Sequence, residues 1–202
     1  MKPTLNSRQL EALREVAHQG CSQAAQALGV LVGGKKVDVD FSNAAMLPLS
    51  DISGSLGGPK TPITAVLFAM EGELTGQLLV VLLKPDARKL AAALSRTPEE
   101  EPLGLLQLSA LQETSNILVS SCLSAIGNLV QLRLLPSLPL LLEDEADKVV
   151  REAVERTGPE KGVVLSMKAR FHTLEEPLVG VQMWVLPDDL SLRRLLEKLG
   201  VA

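Results

Sequence analysis

Aromatic side chains are almost missing from this chain: they make up 2% of its 202 residues, with no tyrosine, three phenylalanines and the single Trp184. A core must therefore be built from Leu, Val, Ile and Ala, and stacking platforms for nucleic-acid bases are excluded. The net charge of −4 likewise speaks against a phosphate-backbone partner, which basic side chains would have to neutralise. Cysteine is as sparse. Cys21 and Cys122 stand in no Cys-x-x-Cys spacing and in apolar, helical surroundings, so they read as small core residues. No run reaches the roughly 18 apolar residues of a membrane span, and "MKPTLNSRQLEAL" has no apolar signal region. The expectation is a cytoplasmic protein without membrane contact. His172 has no Cys or second His at ligand spacing, and "EEEP" and "EDEAD" lack the spacing of a calcium loop. No metal site is expected. Gly33-Gly34-Lys35-Lys36 is followed by a strand pattern, not a helix, so it reads as a turn and not a phosphate loop.

What is present is an internal echo. "LEALREVAH" (Leu10 to His18) returns as "LSALQETSN" (Leu108 to Asn116), an offset of 108 − 10 = 98 residues with Leu, Ala, Leu and Glu in register. The order of patterns repeats with it. Asn6-Ser7 caps a long amphipathic stretch that Gly33-Gly34 ends, and "KKVDVDF" then alternates like a half-buried strand. Two apolar runs joined by "EGELT" read as a hairpin, and "PDARKLAAALS" closes the half as a helix. In the second half "LLQLSALQETSNILVSSCLSAIGNLVQL" is the long helix and "RLLPSLPLLL" the strand region. "GVVLSMKARFHTL" and "PLVGVQMWVL" form the hairpin, and "PDDLSLRRLLEKLG" the closing helix. "RTPEEEPLG" connects the halves.

With hydrophobic residues at 46% and charged residues at 22%, the chain is globular. It is expected to be α+β: a single domain over 1–202, made of two repeats at about 7–96 and 103–200. The repeats would be related by a pseudo-two-fold axis, with one continuous antiparallel sheet and the two long helices over a face. One element lacks a partner: "EDEADKVVREAVERTG" predicts an amphipathic helix, whereas the first half has the loop-like "PLSDISGSLGGPK". That extra helix is either a surface element or a docking element, and the pattern does not separate the two.

Glu113 and Asn116 are three residues apart and share a helix face, with Ser109 one turn earlier on the same polar strip. Alone, such a strip is also what keeps an otherwise apolar helix solvated. Taken with Pro139, which follows Asn116 after twenty-two intervening residues, it resembles the signature of the CheC/CheX/FliY phosphatases of bacterial chemotaxis: Asp or Ser, three residues, Glu, two residues, Asn, then Pro. "MLPLSDI" and "PDDLSLRRLLEKLG" are similar to the family as well, so the resemblance spans nearly the whole chain.

The resemblance implies a CheC-like fold and hydrolysis of the aspartyl phosphate of a CheY-type response regulator. It implies further that no phosphoenzyme forms and that the chain carries no cofactor of its own, the regulator supplying Mg²⁺ and a Lys. Asn116 would position the attacking water through its uncharged carboxamide, and Glu113 would dock by pairing with the regulator's Lys. Ser109 and Pro139 would support them. In the first half Glu11 and Glu15 hold the acidic positions, but His18 replaces the amide and Phe41 (18 + 23) the proline. The first face is therefore expected to be degenerate. The alternative is a non-catalytic adaptor that binds a phosphorylated regulator or the deamidase CheD, with residues 144–156 as the place for CheD. A flagellar-switch role like that of FliY would call for an appended domain, and these 202 residues show none.

Overall fold

A 25-residue helix, α1 (Ser7–Leu31), opens the fold in a computed structural model that describes residues 6–31, 33, 34, 36–157, 163–173 and 180–201. Its first turn is held reciprocally: Gln9 N–H donates to Asn6 Oδ1 and Asn6 N–H to Gln9 Oε1, both at 2.9 Å. At its end Gly34, with φ +78°, donates back to the Gly29 carbonyl at 3.0 Å and turns the chain. The expected strand follows as β1 (Val37–Pro48). Next come a short helix α2 (Leu49–Ile52), a 3₁₀ turn (Ser53–Leu56), the hairpin β2 (Pro62–Gly72) and β3 (Gly76–Leu83), and α3 (Lys84–Ser95). The second half is α4 (Leu105–Val130), β4 (Leu134–Pro136), β5 (Leu140–Glu145), α5 (Ala146–Thr157), β6 (Val163–Thr173), β7 (Gly180–Pro187) and α6 (Asp189–Lys198). The connection between β6 and β7 lies outside the described residues.

All strands join one antiparallel sheet in the order β1-β6-β7-β3-β2-β4, with β5 also paired to β2. The order exchanges strands between halves. β1 of the first half pairs with β6 of the second, while β4 and β5 of the second half pair with β2 of the first. β3 and β7 meet in the middle, with Val80 opposite Met183.

Both faces of the sheet are covered, which explains why β2 and β3 read as unbroken apolar runs and not as alternation. Val66, Phe68 and Met70 point to the side of α1, α3, α4 and α6. Ile63, Ala65 and Leu67 point to the other side, where they meet Ile52, Leu56, the α5 residues Ala146, Val149, Val150 and Ala153, and Trp184. Two expectations change here. "PLSDISGSLGG" is not a loop: α2 and its 3₁₀ turn bury Ile52 and Leu56 in the same layer as α5, so α5 does have a counterpart. "RLLPSLPLLL" is not one strand, since it breaks between Pro136 and Pro139, where a missing N–H interrupts the ladder. The shared Pro-Asp start of the closing helices also resolves differently in each. Pro85 lies inside the first turn of α3, whereas Asp188 caps α6 by accepting from Ser191 N–H at 2.8 Å.

The long helices α1 and α4 pack side by side over the sheet. Gly20 permits this closeness: a Cβ there would lie 2.6 Å from Cys122 Sγ. Both cysteines are fully buried, as the sequence suggests, and both are free thiols. Burial pushes the Cys21 thiol up to about 12, and it raises that of Cys122 too, with Cys21 adding to the effect. The thiolate is the reactive form. From an ordinary value of 9.0 to about 12 is three decades of thiolate, so alkylation of Cys21 at pH 8 is expected to slow about a thousandfold in the native protein. Mass spectrometry after iodoacetamide treatment, native and denatured, checks this. Native labelling at the denatured rate would contradict it.

Candidate functional site

The polar strip expected on the second long helix lies on the outer face of α4. Ser109 and Glu113 are exposed and Asn116 is half-buried, above the buried layer of Leu111, Thr114, Ser115 and Leu118. Helical geometry puts Glu113 and Asn116 one turn apart, about 4.5 Å along the axis. Among the described residues, no hydrogen bond or ion pair engages the Glu113 carboxylate or the Asn116 carboxamide.

Each end of α4 is fixed. At the start, the buried Gln107 donates from Nε2 to Thr97 Oγ1 at 2.9 Å and to the Pro98 carbonyl at 2.7 Å, which ties the helix to the connector. At the far end Gln131 adopts a left-handed conformation, and Leu132 N–H donates to the Gly127 carbonyl at 2.9 Å. A Cβ on Gly127 would come within 2.5 Å of the Leu132 carbonyl oxygen, so the chain reverses tightly there. β4 and β5 then run beside α4, with the half-buried Pro139 in the break between them.

Ser137 pins that break, and sequence reasoning overlooked it. Its N–H donates to the Ala69 carbonyl, and its Oγ accepts from Ala69 N–H, both at 2.9 Å. The only local signal is a serine flanked by two nearby prolines.

The first half presents a different face. Glu11 pairs with Arg14 at 3.3 Å, and Glu15 accepts from Gln19 Nε2 at 3.0 Å, so both acids are engaged by their own helix. His18 is exposed and lines a groove of about 520 Å³ between α1 and β1, with Ser22, Gln26, Lys36 and Asp38. Lys36 and Asp38 form an ion pair at 3.1 Å. Phe41 belongs to β1, and its side chain lies outside the described residues.

The stretch 144–156, expected as a docking element, is largely α5. Its apolar side is spent on Trp184 and its neighbours. Its charges pair with one another: Asp144 with Lys148, Asp147 with Arg151, and Glu152 with Arg156. The Lys148 hydrogen bond holds the Asp144 carboxyl below its usual range. What remains for a partner is this self-paired outer face. Among the described residues no group of three His, Cys, Asp or Glu could hold a metal ion, and no helix is long and apolar enough to cross a membrane.

No family model matches the chain. It is 28% identical over 204 residues to the CheY-P phosphatase CheC of Bacillus subtilis (strain 168), covering 98% of this chain and 97% of that protein. Its fold is similar to that of Thermotoga maritima FliY, with a TM-score of 0.78 at 16% identity over 98% of each chain. It is also similar to a chain of the CheX–CheY–BeF3–Mg²⁺ complex of Borrelia burgdorferi, with a TM-score of 0.54 at 12% identity over 86% of this chain and 96% of the other.

Proposed function

Because this chain belongs to the CheC/CheX/FliY family, we propose that it hydrolyses the aspartyl phosphate of a CheY-type response regulator in the cytoplasm, through the α4 face. The observation that carries this reading is the free, outward-facing pair Glu113 and Asn116 on a helix fixed at both ends. An acyl phosphate is already activated. Its hydrolysis needs a water in line with the phosphorus, so that a new P–O bond forms as the bond to the aspartyl oxygen breaks. Inorganic phosphate leaves, and the regulator's carboxylate is regenerated.

In this reading the Asn116 carboxamide oxygen accepts a hydrogen bond from that water while carrying no charge to repel the phosphoryl group. The Glu113 carboxylate pairs with the regulator's Lys. Mg²⁺ comes with the regulator, and the chain contributes no cofactor. Ser109 continues the polar strip, and Pro139, held through Ser137, shapes the wall beside it.

The two-fold repetition of elements fits duplication of one unit, with repeats at about 7–96 and 103–200, followed by loss of the first site. At that site both acids are occupied locally and His18 stands in place of the amide. An adaptor that binds the phosphorylated regulator without hydrolysing it would need the same exposed face.

Phosphate release from a purified CheY-type regulator, kept phosphorylated by a small phosphodonor, separates the two. The wild type and the His18→Ala variant are both expected to accelerate release. Binding without acceleration would replace the phosphatase by the adaptor, and loss of activity in His18→Ala would contradict a silent first face.

A further inference from the structure

The second half carries large apolar side chains where a soluble surface gains nothing from them. Leu105 is 86% exposed, Leu106 61% and Leu138 90%. Two of them belong to the α4 strip by helical phase. Leu106 and Glu113 are 113 − 106 = 7 residues apart, and Leu105 and Asn116 are 116 − 105 = 11 apart, so each pair falls within about 20° around the helix. Along the axis the two leucines stand about 10–17 Å before their partners. Leu138 directly precedes Pro139 in the segment that returns beside α4.

The other half supplies an internal control. At the offset of 98, Leu105 corresponds to Ser7 (105 − 98), Leu106 to Arg8 and Leu138 to Asp40. All three first-half residues are exposed and hydrophilic. Among the described residues, the exposed large apolar side chains of α1 are Val30 and Leu31, at least 30 − 18 = 12 residues past His18, at the opposite end from Ser7 and Arg8. Exposed leucines at these three positions therefore accompany the half with the free Glu–Asn pair and are missing from the half whose acids are occupied. Helix formation does not explain the difference, because both long helices form.

We infer that Leu105, Leu106 and Leu138 are positioning residues: an apolar rim that seats a phosphorylated receiver domain, through an apolar patch beside its phosphorylation pocket, with Glu113 and Asn116 over the phosphoryl group. The inference rests on the function proposed above. The polar strip alone offers few contacts, and charged groups at a rim mainly set encounter and orientation. Apolar side chains that lose water on docking supply the affinity. A rim that acts only in docking contributes to the concentration of regulator needed and not to the rate once it is bound.

The test transplants the first-half residues, as the triple variant Leu105→Ser, Leu106→Arg and Leu138→Asp, with Leu105→Met/Leu106→Met as the conservative control. The regulator concentration giving half-maximal phosphate release is expected to rise at least about tenfold in the triple variant. Its maximal rate should stay within about twofold of the wild type, and the Met control should behave as wild type. Binding of the regulator complexed with beryllium fluoride and Mg²⁺ is measured in parallel and should weaken by the same factor. An unchanged half-saturation, or a fall in maximal rate alone, overturns the inference. So does a wild-type dimer that the triple variant converts to monomer, since the rim would then seat a second copy of this chain. If the wild type binds the regulator without accelerating release, the hydrolytic reading alone falls and the dissociation constants still report on the leucines. If it neither binds nor accelerates, both fall.

Discussion

Asn116→Ala is expected to lower the maximal rate of phosphate release about a hundredfold, the usual loss when a reacting group is misplaced by an ångström or so. That corresponds to about 2.7 kcal/mol of transition-state stabilisation. The half-saturating regulator concentration should barely move, because the carboxamide is assigned to the water and not to docking. Unfolding does not account for such a loss. Asn116 is only half-buried, the side chain makes no hydrogen bond to described residues, and Ala favours helix over Asn by roughly half a kcal/mol. Asn116→Asp sharpens the point: it keeps the shape but places a negative charge near the phosphoryl group, and a comparable loss is expected. A variant that hydrolyses at the wild-type rate would remove Asn116 from the chemistry and leave the α4 face as a binding surface.

The largest stability effect is expected at Trp184, which is 1% exposed beneath α5 and lies opposite Leu79 of β3 in the sheet. Trp184→Ala empties the centre of that layer at a cost of about 3–5 kcal/mol. For a chain of this size the melting temperature should fall by roughly 6–20 °C. The indole Nε1 is buried with no hydrogen-bond partner among the described residues. Trp184→Phe therefore removes an unsatisfied donor along with some volume, and the two effects oppose each other. Its cost should stay under about 1.5 kcal/mol. Thermal unfolding followed by circular dichroism distinguishes these outcomes, since the chain loses its only tryptophan signal. Equal losses in both variants would mean that the indole nitrogen, and not the ring volume, holds the layer.

The elements were legible where a local period carries them. α1 and α5 announce themselves by spacing, because one side of each meets the core and the other meets water. β2 and β3 were legible for the opposite reason: runs such as Ile63 to Met70 can stay apolar because both faces are covered. Leu49–Leu56 was missed because two apolar side chains, Ile52 and Leu56, anchor it among the described residues. Two contacts are too few to display a period. The break before Pro139 was hidden in a run of leucines that suits a continuous strand equally well.

The exchange of β1 with β4 and β5 has no local signature at all, since pairing over such separations is decided by the assembled sheet. At the site, helical spacing put Glu113 and Asn116 on one face, but it was the resemblance to the family signature, not a period, that singled them out together with Pro139. Spacing did not reveal that Glu11 and Glu15 turn to Arg14 and Gln19, although the i+3 and i+4 separations make both pairings possible. Ser137 was out of reach, because its partner Ala69 is 68 residues away.

The strand exchange also sets the order in which the chain can assemble. β1 begins 163 − 37 = 126 residues before β6, the strand it pairs with among the described residues. β2–β3 and β6–β7 are local hairpins that close over a few residues or a short connection, so they can form early. Among the described strands, β1 must wait for the β6–β7 hairpin, and contacts this distant are slow to close. Until then twelve residues of strand wait with both edges open, the condition under which newly made chains aggregate. Interleaving the halves makes the finished sheet continuous. It also leaves the nascent protein dependent on the β6–β7 hairpin, more than a hundred residues after β1.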